Sequence, residues 1–371
     1  MTLDEYYLLQ ALIEARKSEP ISSPNPAVGA VIVKHNKIIG KGFTQSPGKH
    51  HAEVVAIKNC KENPNNATMY VTLEPCSHFG KTPPCVDLII EKKIKRVVIG
   101  IKDPNPIVNG KGIKKLKQAG IYVTTGILKD KIIEQMQWYL KYIKTGLPYV
   151  ILKGGISIDG KITDYNENSK WISSENARLF AQKLREINDA IIVGINTVLK
   201  DNPNLTYRGK IDKKFYRIVL DTNLKINLNA NVLKSVKNHK TIIVTSSNSS
   251  QTKIKKLNSL KDVEVLLINS KPGEIYLKAL LKHLGKMGIA KLIVEGGSKI
   301  NFSFLKENLV DKIILFIAPK IIGGERSKNF VGGKGFLLKN SIEIKCARYY
   351  NLLSDNFIFE GYINRYVHRN N

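Results

Sequence analysis

Apolar and polar residues alternate along the chain in blocks that predict helices and strands in turn. Leu3–Lys17 has apolar side chains at helical spacing, and Pro20, Pro24 and Pro26 end this segment. Short apolar runs predict strands at Ala27–Val33, Lys37–Phe43, Thr68–Leu73, Arg96–Ile101 and Ile121–Thr125. Helical stretches between and after them lie at Ala52–Cys60, Val86–Lys92, Ile113–Ala119 and about Ile132–Tyr142. This order is typical of an α/β fold.

A group of turn-forming residues divides the chain into two predicted domains. Gly146 and Pro148 punctuate the sequence, so we place the boundary between residues 1–146 and residues 147–371. A length of 371 residues is itself typical of two domains.

The second predicted domain begins with a strand, Tyr149–Lys153. A helix follows at Asn176–Ile187, with Ser173 or Ser174 as its N-cap. Further apolar strands separated by helical stretches predict a mainly parallel sheet covered by helices. These strands are Ala190–Ile195, Arg217–Leu220, Thr241–Thr245, Val263–Ile268, Leu292–Val294 and Lys312–Ile317.

The first domain carries His51, Glu53, Cys76 and Cys85 at the ends of predicted strands and helices. One His and two Cys side chains suit a tetrahedral Zn²⁺ ion that keeps one position open for water. The metal acidifies that water, and a carboxylate that is not a ligand can shuttle its protons. H-x-E followed by P-C and a second Cys is the pattern of zinc deaminases. The pattern predicts His51, Cys76 and Cys85 as zinc ligands and Glu53 as the catalytic proton shuttle.

Two other interpretations of this cluster stay open. A nucleic-acid deaminase directed at tRNA shares these residue types, but it usually has a C-x-x-C spacing, whereas eight residues separate Cys76 from Cys85. A non-catalytic protein with a structural zinc needs four protein ligands, and the pattern offers three. Cys60 and Cys346 belong to no motif of the sequence, and we expect them to be buried small side chains.

Several motifs of the first domain resemble the deaminase half of the bifunctional riboflavin biosynthesis proteins. They are Asn25–Gly29, His51–Glu53, Pro75–Cys85 and Asp103–Pro106. The resemblance implies a cytidine-deaminase-like αβα domain that deaminates 2,5-diamino-6-ribosylamino-4(3H)-pyrimidinone 5′-phosphate. Thr44 departs from the family, whose members often have His there. By the same resemblance, the candidate contacts to the pyrimidine or the ribose phosphate are Asn25, His78, Lys81, Asp103 and Asn105.

The second domain lacks the G-x-G-x-x-G fingerprint of an ordinary dinucleotide-binding fold and carries other short motifs. The glycines before Ser298 expose backbone N–H groups where a helix begins, which suits a phosphate, although Gly-Gly after a strand is also a common turn. Taken singly, Arg185 also fits a solvated helix position and Trp171 a core residue. The motifs are Leu152–Lys161, Ser169–Ser173, Gly194–Leu199, Asp201–Arg208 and Glu295–Ser298.

Together these motifs resemble the reductase half of the same family, which has a dihydrofolate-reductase-like α/β fold and uses NADPH. The resemblance implies that the deaminated product is reduced at C1′ of its ribose. A substrate phosphate favours the planar, permanently charged guanidinium of arginine. The implied cofactor contacts are Gly155, Trp171, Thr197, Asp201, Gly297 and Ser298. The implied substrate contacts are Ser169, Arg185, Leu205, Arg208 and Glu295.

The net charge of +28 raises the question of a nucleic-acid partner. Residues 1–146 carry 22 basic and 12 acidic side chains, and residues 147–371 carry 37 and 19, so the excess is spread evenly. Only 10 of the 59 basic residues are Arg, the residue preferred for reading bases and phosphates. We therefore expect no nucleic acid as partner, and the family resemblance implies a small phosphorylated pyrimidine as substrate.

Other features of the sequence bear on location and assembly. The longest apolar runs are far shorter than a bilayer requires, and the first residues lack the pattern of a secretion signal, so we expect no membrane partner. Four cysteines fit a reducing compartment, which predicts a cytoplasmic protein. The family resemblance implies a homodimer formed through the reductase half.

Overall fold

The computed structural model describes residues 1–80, 82–209, 211–268, 275–352 and 356–364. Within this part of the chain the residues form two compact units, Met1–Gly146 and a second one that begins at Leu147. Each unit holds one β-sheet with helices packed beside it.

The sheet of the first unit has the strand order β2-β1-β3-β4-β5. Its first three strands pair antiparallel, and the pairs β3–β4 and β4–β5 are parallel. The strands are β1 (Gly29–Lys34), β2 (Lys37–Phe43), β3 (Thr68–Leu73), β4 (Arg96–Ile101) and β5 (Tyr122–Thr125). The helices are α1 (Leu3–Ser18), α2 (Ala52–Lys58), α3 (Cys85–Glu91), α4 (Lys111–Gln118), α5 (Lys129–Gln135) and α6 (Gln137–Thr145).

Helix α1 illustrates how the sequence fixes this packing. Thr2 and Glu5 form a capping box, in which each side chain accepts a hydrogen bond from the other residue's backbone N–H. The buried face of the helix, including Leu8 and Ala11, lies against β1. Gly29 is required there, because a Cβ atom at that position would lie 1.9 Å from the carbonyl oxygen of Ala11.

The sheet of the second unit has the order β10-β9-β8-β7-β11-β6-β12-β14-β13. It is parallel from β10 to β12, whereas β14 and β13 are antiparallel. The strands are β6 (Tyr149–Ser157), β7 (Ala190–Gly194), β8 (Phe215–Leu220), β9 (His239–Thr245), β10 (Val263–Leu267), β11 (Lys291–Val294), β12 (Lys312–Ala318), β13 (Lys345–Leu352) and β14 (Asn356–Tyr362). The helices are α7 (Glu175–Ile187), α8 (Ile195–Asp201), α9 (Gln251–Asn258), α10 (Leu277–Lys286) and α11 (Ser298–Lys306).

Most predicted elements are present within a few residues of their predicted bounds, and the mainly parallel sheet is confirmed. Ser174, rather than Ser173, caps α7, since its hydroxyl oxygen accepts a hydrogen bond from the backbone N–H of Ala177 at 3.2 Å. Every helix in the described part of the chain is too short or too polar to cross a bilayer.

Several predictions are wrong in detail. The helix near Ile132–Tyr142 is two helices, because the backbone leaves helical geometry at Met136. The strand predicted at Ala190–Ile195 ends at Gly194, where an extended backbone begins α8. The strand pair β13–β14 was not predicted, because β13 is exposed and lacks an alternating apolar pattern. Cys346 lies on that strand and is exposed, whereas Cys60 is half-buried, so neither is the buried core residue that we expected.

Candidate active sites

The predicted zinc ligands of the first unit lie together, although they come from three elements. His51 is the N-cap residue of α2, Cys76 follows β3, and Cys85 is the first residue of α3. The Nδ1 atom of His51 lies 3.5 Å from Cys76 Sγ and 3.3 Å from Cys85 Sγ. The backbone N–H of Cys85 donates to Cys76 Sγ at 3.3 Å. The fold thus brings the three donor atoms together within 4.8 Å of one another.

This donor set fits a zinc ion. Two ligand atoms about 2.0–2.3 Å from one tetrahedral ion lie about 3.5 Å apart, which matches the observed spacing of nitrogen and sulfur. Hydrogen bonding from Cys85 lowers the pKa of the Cys76 thiol, which favours the thiolate that binds metal. Among the described residues the cluster has three members, so the geometry is that of an open, catalytic site rather than a closed structural one.

Glu53 is the second residue of α2, beside the cluster but outside its set of ligand atoms. Its side chain is buried, with 4% of its surface exposed. Burial raises the pKa of the Glu53 carboxyl to about 7, and the nearby His51 partly offsets this increase. A carboxyl group that titrates near neutral pH both accepts and releases a proton readily, as a proton shuttle requires.

Glu74 is a buried residue of this site to which the sequence analysis gave no role. Its carboxylate accepts hydrogen bonds from the backbone N–H groups of Asp103 at 3.2 Å, Gly110 at 2.9 Å and Ile113 at 3.1 Å. It therefore holds the loop after β4 against the turn that carries Cys76. Its signal in the sequence is a carboxylate that directly follows the apolar strand β3.

The other candidate contacts of the first unit lie in loops. Asp103 is buried and accepts a hydrogen bond from the Tyr139 hydroxyl at 3.0 Å, and burial raises its pKa to about 6. Asn25 and Asn105 are half-buried in turns, and His78 buries an Nδ1 atom that has no partner among the described residues. Lys81 lies outside the described residues, and Thr44 is buried.

In the second unit, the candidate residues gather at the carboxyl ends of three adjacent strands, β7, β11 and β6. Gly155 lies near the end of β6, Thr197 follows β7 on α8, and the segment Glu295–Ser298 follows β11. The chain returns to insert β11 between β6 and β7, so the strand order reverses at this point. Ligands of open parallel sheets bind at such a crevice beyond the carboxyl ends of the strands.

A largely buried ion-pair network lies directly after β11, around Glu295, with side-chain exposures of 15–16%. The guanidinium of Arg185 donates from Nε and Nη2 to the two carboxylate oxygens of Glu295, at 3.2 and 2.9 Å. Its Nη1 atom donates to the carbonyl oxygen of Thr206 at 3.2 Å, and Lys153 lies 3.7 Å from Glu295. Burial opposes ionisation of Glu295, but Arg185 and Lys153 together lower its pKa to about 2. Lys153, a charge within an apolar strand, is a second residue that the sequence analysis did not assign.

The other cofactor candidates of the second unit, and the substrate candidate Ser169, are mostly accessible. Trp171 has 63% of its surface exposed, which excludes core packing, and the guanidinium of Arg178 stacks on its ring at 4.3 Å. Ser169 and Thr197 are half-buried, and Asp201 lies 4.0 Å from Lys170. These side chains are available to a ligand in the crevice.

The turn before α11 fits a phosphorylated cofactor such as NADPH. A Cβ atom at Gly297 would meet nothing within 4 Å, so the backbone there is open to a ligand. The first N–H groups of α11 lack partners within the helix, as at any helix start. The hydroxyl of Ser298 donates to the Asn329 carbonyl oxygen and fixes the turn.

The last two substrate candidates lie in the loop between α8 and β8. Leu205 is buried in the hydrophobic core, with a φ of 53°, so its backbone rather than its side chain is offered to a ligand. Arg208 is exposed. Leu205 and Arg208 are therefore close in the chain, but Leu205 offers a ligand its backbone and Arg208 offers its side chain.

The fold and these sites define a class of protein in which a cytidine-deaminase-like zinc domain precedes a reductase domain that uses NADPH. The family model described as cytidine and deoxycytidylate deaminase zinc-binding region matches residues 1–101, and the RibD C-terminal domain matches residues 148–357. The chain belongs to the RibD family of riboflavin biosynthesis proteins, which join a deaminase to a reductase.

Individual relatives span nearly the whole chain. The riboflavin biosynthesis protein RibD of Aquifex aeolicus is 41% identical over 358 residues, which cover 96% of this chain and 98% of the relative. The RibD of Actinobacillus pleuropneumoniae is 42% identical over 329 residues, covering 89% and 87%. The crystal structure of a diaminohydroxyphosphoribosylaminopyrimidine deaminase/5-amino-6-(5-phosphoribosylamino)uracil reductase from Thermotoga maritima has a TM-score of 0.84 at 34% identity and covers 97% and 98%.

These matches confirm the predicted fold class, the family and the two enzyme activities. They also confirm zinc and NADPH as the cofactors. The alternative of a nucleic-acid deaminase is not favoured, because the reductase half is part of the family match.

Proposed function

We propose that the chain catalyses two successive steps of riboflavin biosynthesis, with the deaminase in residues 1–146 and the reductase in residues 147–371. The first step is the hydrolytic deamination of 2,5-diamino-6-ribosylamino-4(3H)-pyrimidinone 5′-phosphate. The second is the reduction of the ribosyl side chain by NADPH, which gives 5-amino-6-ribitylamino-uracil 5′-phosphate. The observation that carries the proposal is the three-donor cluster beside buried Glu53, in a chain whose second unit places its candidate residues after the carboxyl ends of adjacent parallel strands.

In the deaminase, the proposed ligands His51, Cys76 and Cys85 hold zinc. A zinc ion held there would supply an acidified water at neutral pH. The Glu53 carboxylate takes the proton from the attacking water and delivers it to the departing amine nitrogen. Its burial supports this role. Burial raises the pKa of the Glu53 carboxyl to about 7, so the group can both accept and release a proton near neutral pH.

Polar groups around this cluster are the proposed substrate contacts. The His78 Nδ1 atom has no partner among the described residues, which supports its assignment to the substrate. Asn25, Lys81, Asp103 and Asn105 are assigned to the pyrimidine or its ribose phosphate on the family resemblance. For Asp103, the Tyr139 hydroxyl and the loop held by Glu74 fix the carboxylate.

In the reductase, bound NADPH would supply the hydride that reduces C1′ of the ribose. The proposed cofactor contacts are Gly155, Trp171, Thr197, Asp201, Gly297 and Ser298. The proposed substrate contacts are Ser169, Arg185, Leu205, Arg208 and Glu295. Arg185 directs three of its five N–H groups at Glu295 and Thr206, which leaves two for a substrate phosphate. Arg208, exposed on its loop, offers its whole guanidinium to that phosphate.

The proposed assembly is a homodimer through the reductase half. The edge strand β13 supports this arrangement, because an exposed strand edge invites pairing with a second copy. Leu337, Leu338 and Tyr349 expose 66%, 91% and 73% of their surfaces nearby in the sequence, which is unusual for apolar side chains outside an interface. Leu338→Asp should convert the dimer to a monomer in light-scattering measurements. A wild-type monomer would contradict the proposal.

We also propose that the protein is cytoplasmic and that it binds no nucleic acid.

A coupled assay tests the proposed function. With the diamino phosphate and NADPH, the wild-type enzyme should release ammonia and then oxidise one NADPH per ammonia.

Arg208→Ala should leave ammonia release unchanged and lower the reductase kcat/KM by about tenfold or more, since a charged hydrogen bond is worth about 1.5–3 kcal/mol. Lys261→Ala, which removes an exposed cation outside this loop, is the control. Unchanged NADPH oxidation by Arg208→Ala would refute its substrate role.

A further inference from the structure

The described residues of the loop between α8 and β8, 202–209 and 211–214, form no helix or strand, yet they include Leu205 and Arg208. An irregular segment must be fixed by side chains, because it lacks the regular hydrogen bonds of secondary structure. Arg217, a fully buried residue of β8, donates to the carbonyl oxygen of Asn204 at 3.4 Å and begins this anchoring. The next anchor is Tyr207, the residue immediately before Arg208.

Tyr207 is the centre of a buried aromatic cluster. Its ring centroid lies 4.9 Å from the His239 ring at an interplanar angle of 32°, and 5.5 Å from Phe215 in an edge-to-face contact. Phe215 and His239 contact each other at 5.6 Å. The exposed fractions of Tyr207, Phe215 and His239 are 8%, 0% and 6%. These three rings therefore form one packed unit, and aromatic pairs of this geometry are worth about 0.5–1.5 kcal/mol beyond their burial.

The same tyrosine also closes the turn around Arg208. Its hydroxyl donates to the carbonyl oxygen of Ile211 at 2.6 Å, and the carbonyl oxygen of Lys213 lies 3.3 Å away. The backbone of Tyr207 precedes Arg208, and its side chain binds the backbone that follows. One side chain thus fixes both ends of the short turn in which Arg208 is exposed.

His239 holds the ring of Tyr207 in place. The histidine begins β9, and its Nδ1 atom lies 2.8 Å from the carbonyl oxygen of Lys237. Because a carbonyl only accepts, Nδ1 carries the hydrogen, and this bond fixes the plane of the ring on which Tyr207 stacks. His239 lies at the amino end of β9, away from the carboxyl ends of the parallel strands, so an effect on substrate must pass through the tyrosine.

We propose that His239 is a positioning residue of the reductase, which acts through Tyr207 to hold Arg208 where it binds the substrate phosphate. The proposal rests on the proposed substrate role of Arg208. It predicts that a buried ring, which touches no substrate, controls the KM for the pyrimidine phosphate. Small displacements of a binding group weaken binding strongly, because charge-assisted hydrogen bonds depend on geometry.

Two pairs of variants test the role of the cluster. His239→Ala removes the stacking partner and should raise the reductase KM for the deaminated substrate about tenfold, with kcat changed less than about twofold. His239→Phe keeps a ring and should restore the KM to within about threefold of wild type. Tyr207→Phe removes only the hydroxyl and should also raise the KM, in a variant whose packing is preserved. The Kd for NADPH, followed by fluorescence, and the deaminase rate should stay unchanged in all three.

A double-mutant cycle with Arg208→Ala separates the possible outcomes. If His239 acts through Arg208, His239→Ala should have no further effect on the KM of the Arg208→Ala enzyme. A raised KM in Arg208→Ala alone, with both His239→Ala and Tyr207→Phe normal, would overturn the positioning role and leave the proposed function intact. An additive double mutant would show that His239 acts elsewhere, which also overturns it. A normal KM in Arg208→Ala would refute the substrate role of Arg208 and, with it, the positioning role.

Discussion

The deaminase and reductase sites are built in contrasting ways. Three donor side chains from residues 51–85 meet around one point in the first unit, where a hydrogen bond from the backbone of Cys85 joins two of them. In the second unit, the candidate groups lie on strands and loops from residue 155 to residue 298 and include backbone as well as side chains. The first site depends on the identity of a few atoms, whereas the second depends on the path of the backbone. Single mutations at the first site should therefore abolish deaminase activity, whereas single mutations at the second site should lower reductase activity by different degrees.

The largest expected effect is the loss of a metal ligand. Cys85→Ser should remove stoichiometric zinc and lower ammonia release by about a thousandfold or more, because the acidified water is lost. NADPH oxidation with the deaminated substrate should persist. Cys60→Ser, a half-buried cysteine outside the cluster, is the control and should retain zinc and both activities. Full deaminase activity in a zinc-free Cys85→Ser enzyme would contradict the assignment.

A large effect on stability is expected from the ion-pair network around Glu295 in the reductase unit. Glu295→Gln leaves Arg185 and Lys153 without their carboxylate and should destabilise the second unit by about 3 kcal/mol at neutral pH. The pKa of Glu295 is lowered to about 2, so its stabilisation is present above its ordinary value of 4.5 and is lost as the pH falls from 4.5 towards 2.

Thermal unfolding between pH 7 and pH 2 measures this dependence. The wild-type transition should weaken below pH 4.5 more steeply than that of Glu295→Gln. Parallel curves for the two proteins would show that Glu295 is not the group responsible.

A moderate effect is expected from Glu74, which binds no metal in our account. Glu74→Gln replaces a carboxylate that accepts three backbone hydrogen bonds, so the loop that carries Asp103 should loosen. The deaminase KM should rise about tenfold while the zinc content stays at one per chain. The exposed residue Glu91 provides the control Glu91→Gln. Loss of zinc with an unchanged KM would place Glu74 in the metal site instead.

The smallest effect should come from salt. Both activities should change less than about threefold between about 50 and 200 mM salt, because the excess of Lys lies on a solvated surface. A nucleic-acid enzyme with many phosphate contacts loses about 10³ or more in affinity over the same range. Initial rates at subsaturating substrate measure this, and a steep decline would restore the nucleic-acid interpretation.

The sequence predicted which three donor side chains of the first unit lie together, whereas it indicated the reductase candidates only as separate motifs. Zinc restricts its ligands to a few residue types, so His51, Cys76 and Cys85 could be recognised from identity and spacing. Glu74 and Lys153 were missed because each lies beside or within an apolar strand, where its role depends on loops and strands distant in sequence. The stacking of Tyr207 on His239 joins residues 32 positions apart, and no local pattern announces it. The edge strand β13 was missed because it is exposed and its sequence lacks an alternating apolar pattern.

The separation of two activities in one chain is tested most directly with Glu53→Gln. This variant keeps the hydrogen-bonding shape of the side chain but cannot carry the proton, so ammonia release should fall about 10²–10⁴-fold with zinc retained. Supplied with the deaminated intermediate, the same protein should oxidise NADPH at the wild-type rate, and the exposed control Glu62→Gln should match wild type in both assays. Ammonia release that survives Glu53→Gln, or NADPH oxidation that is lost with it, would contradict the account of two sites with separate chemistry.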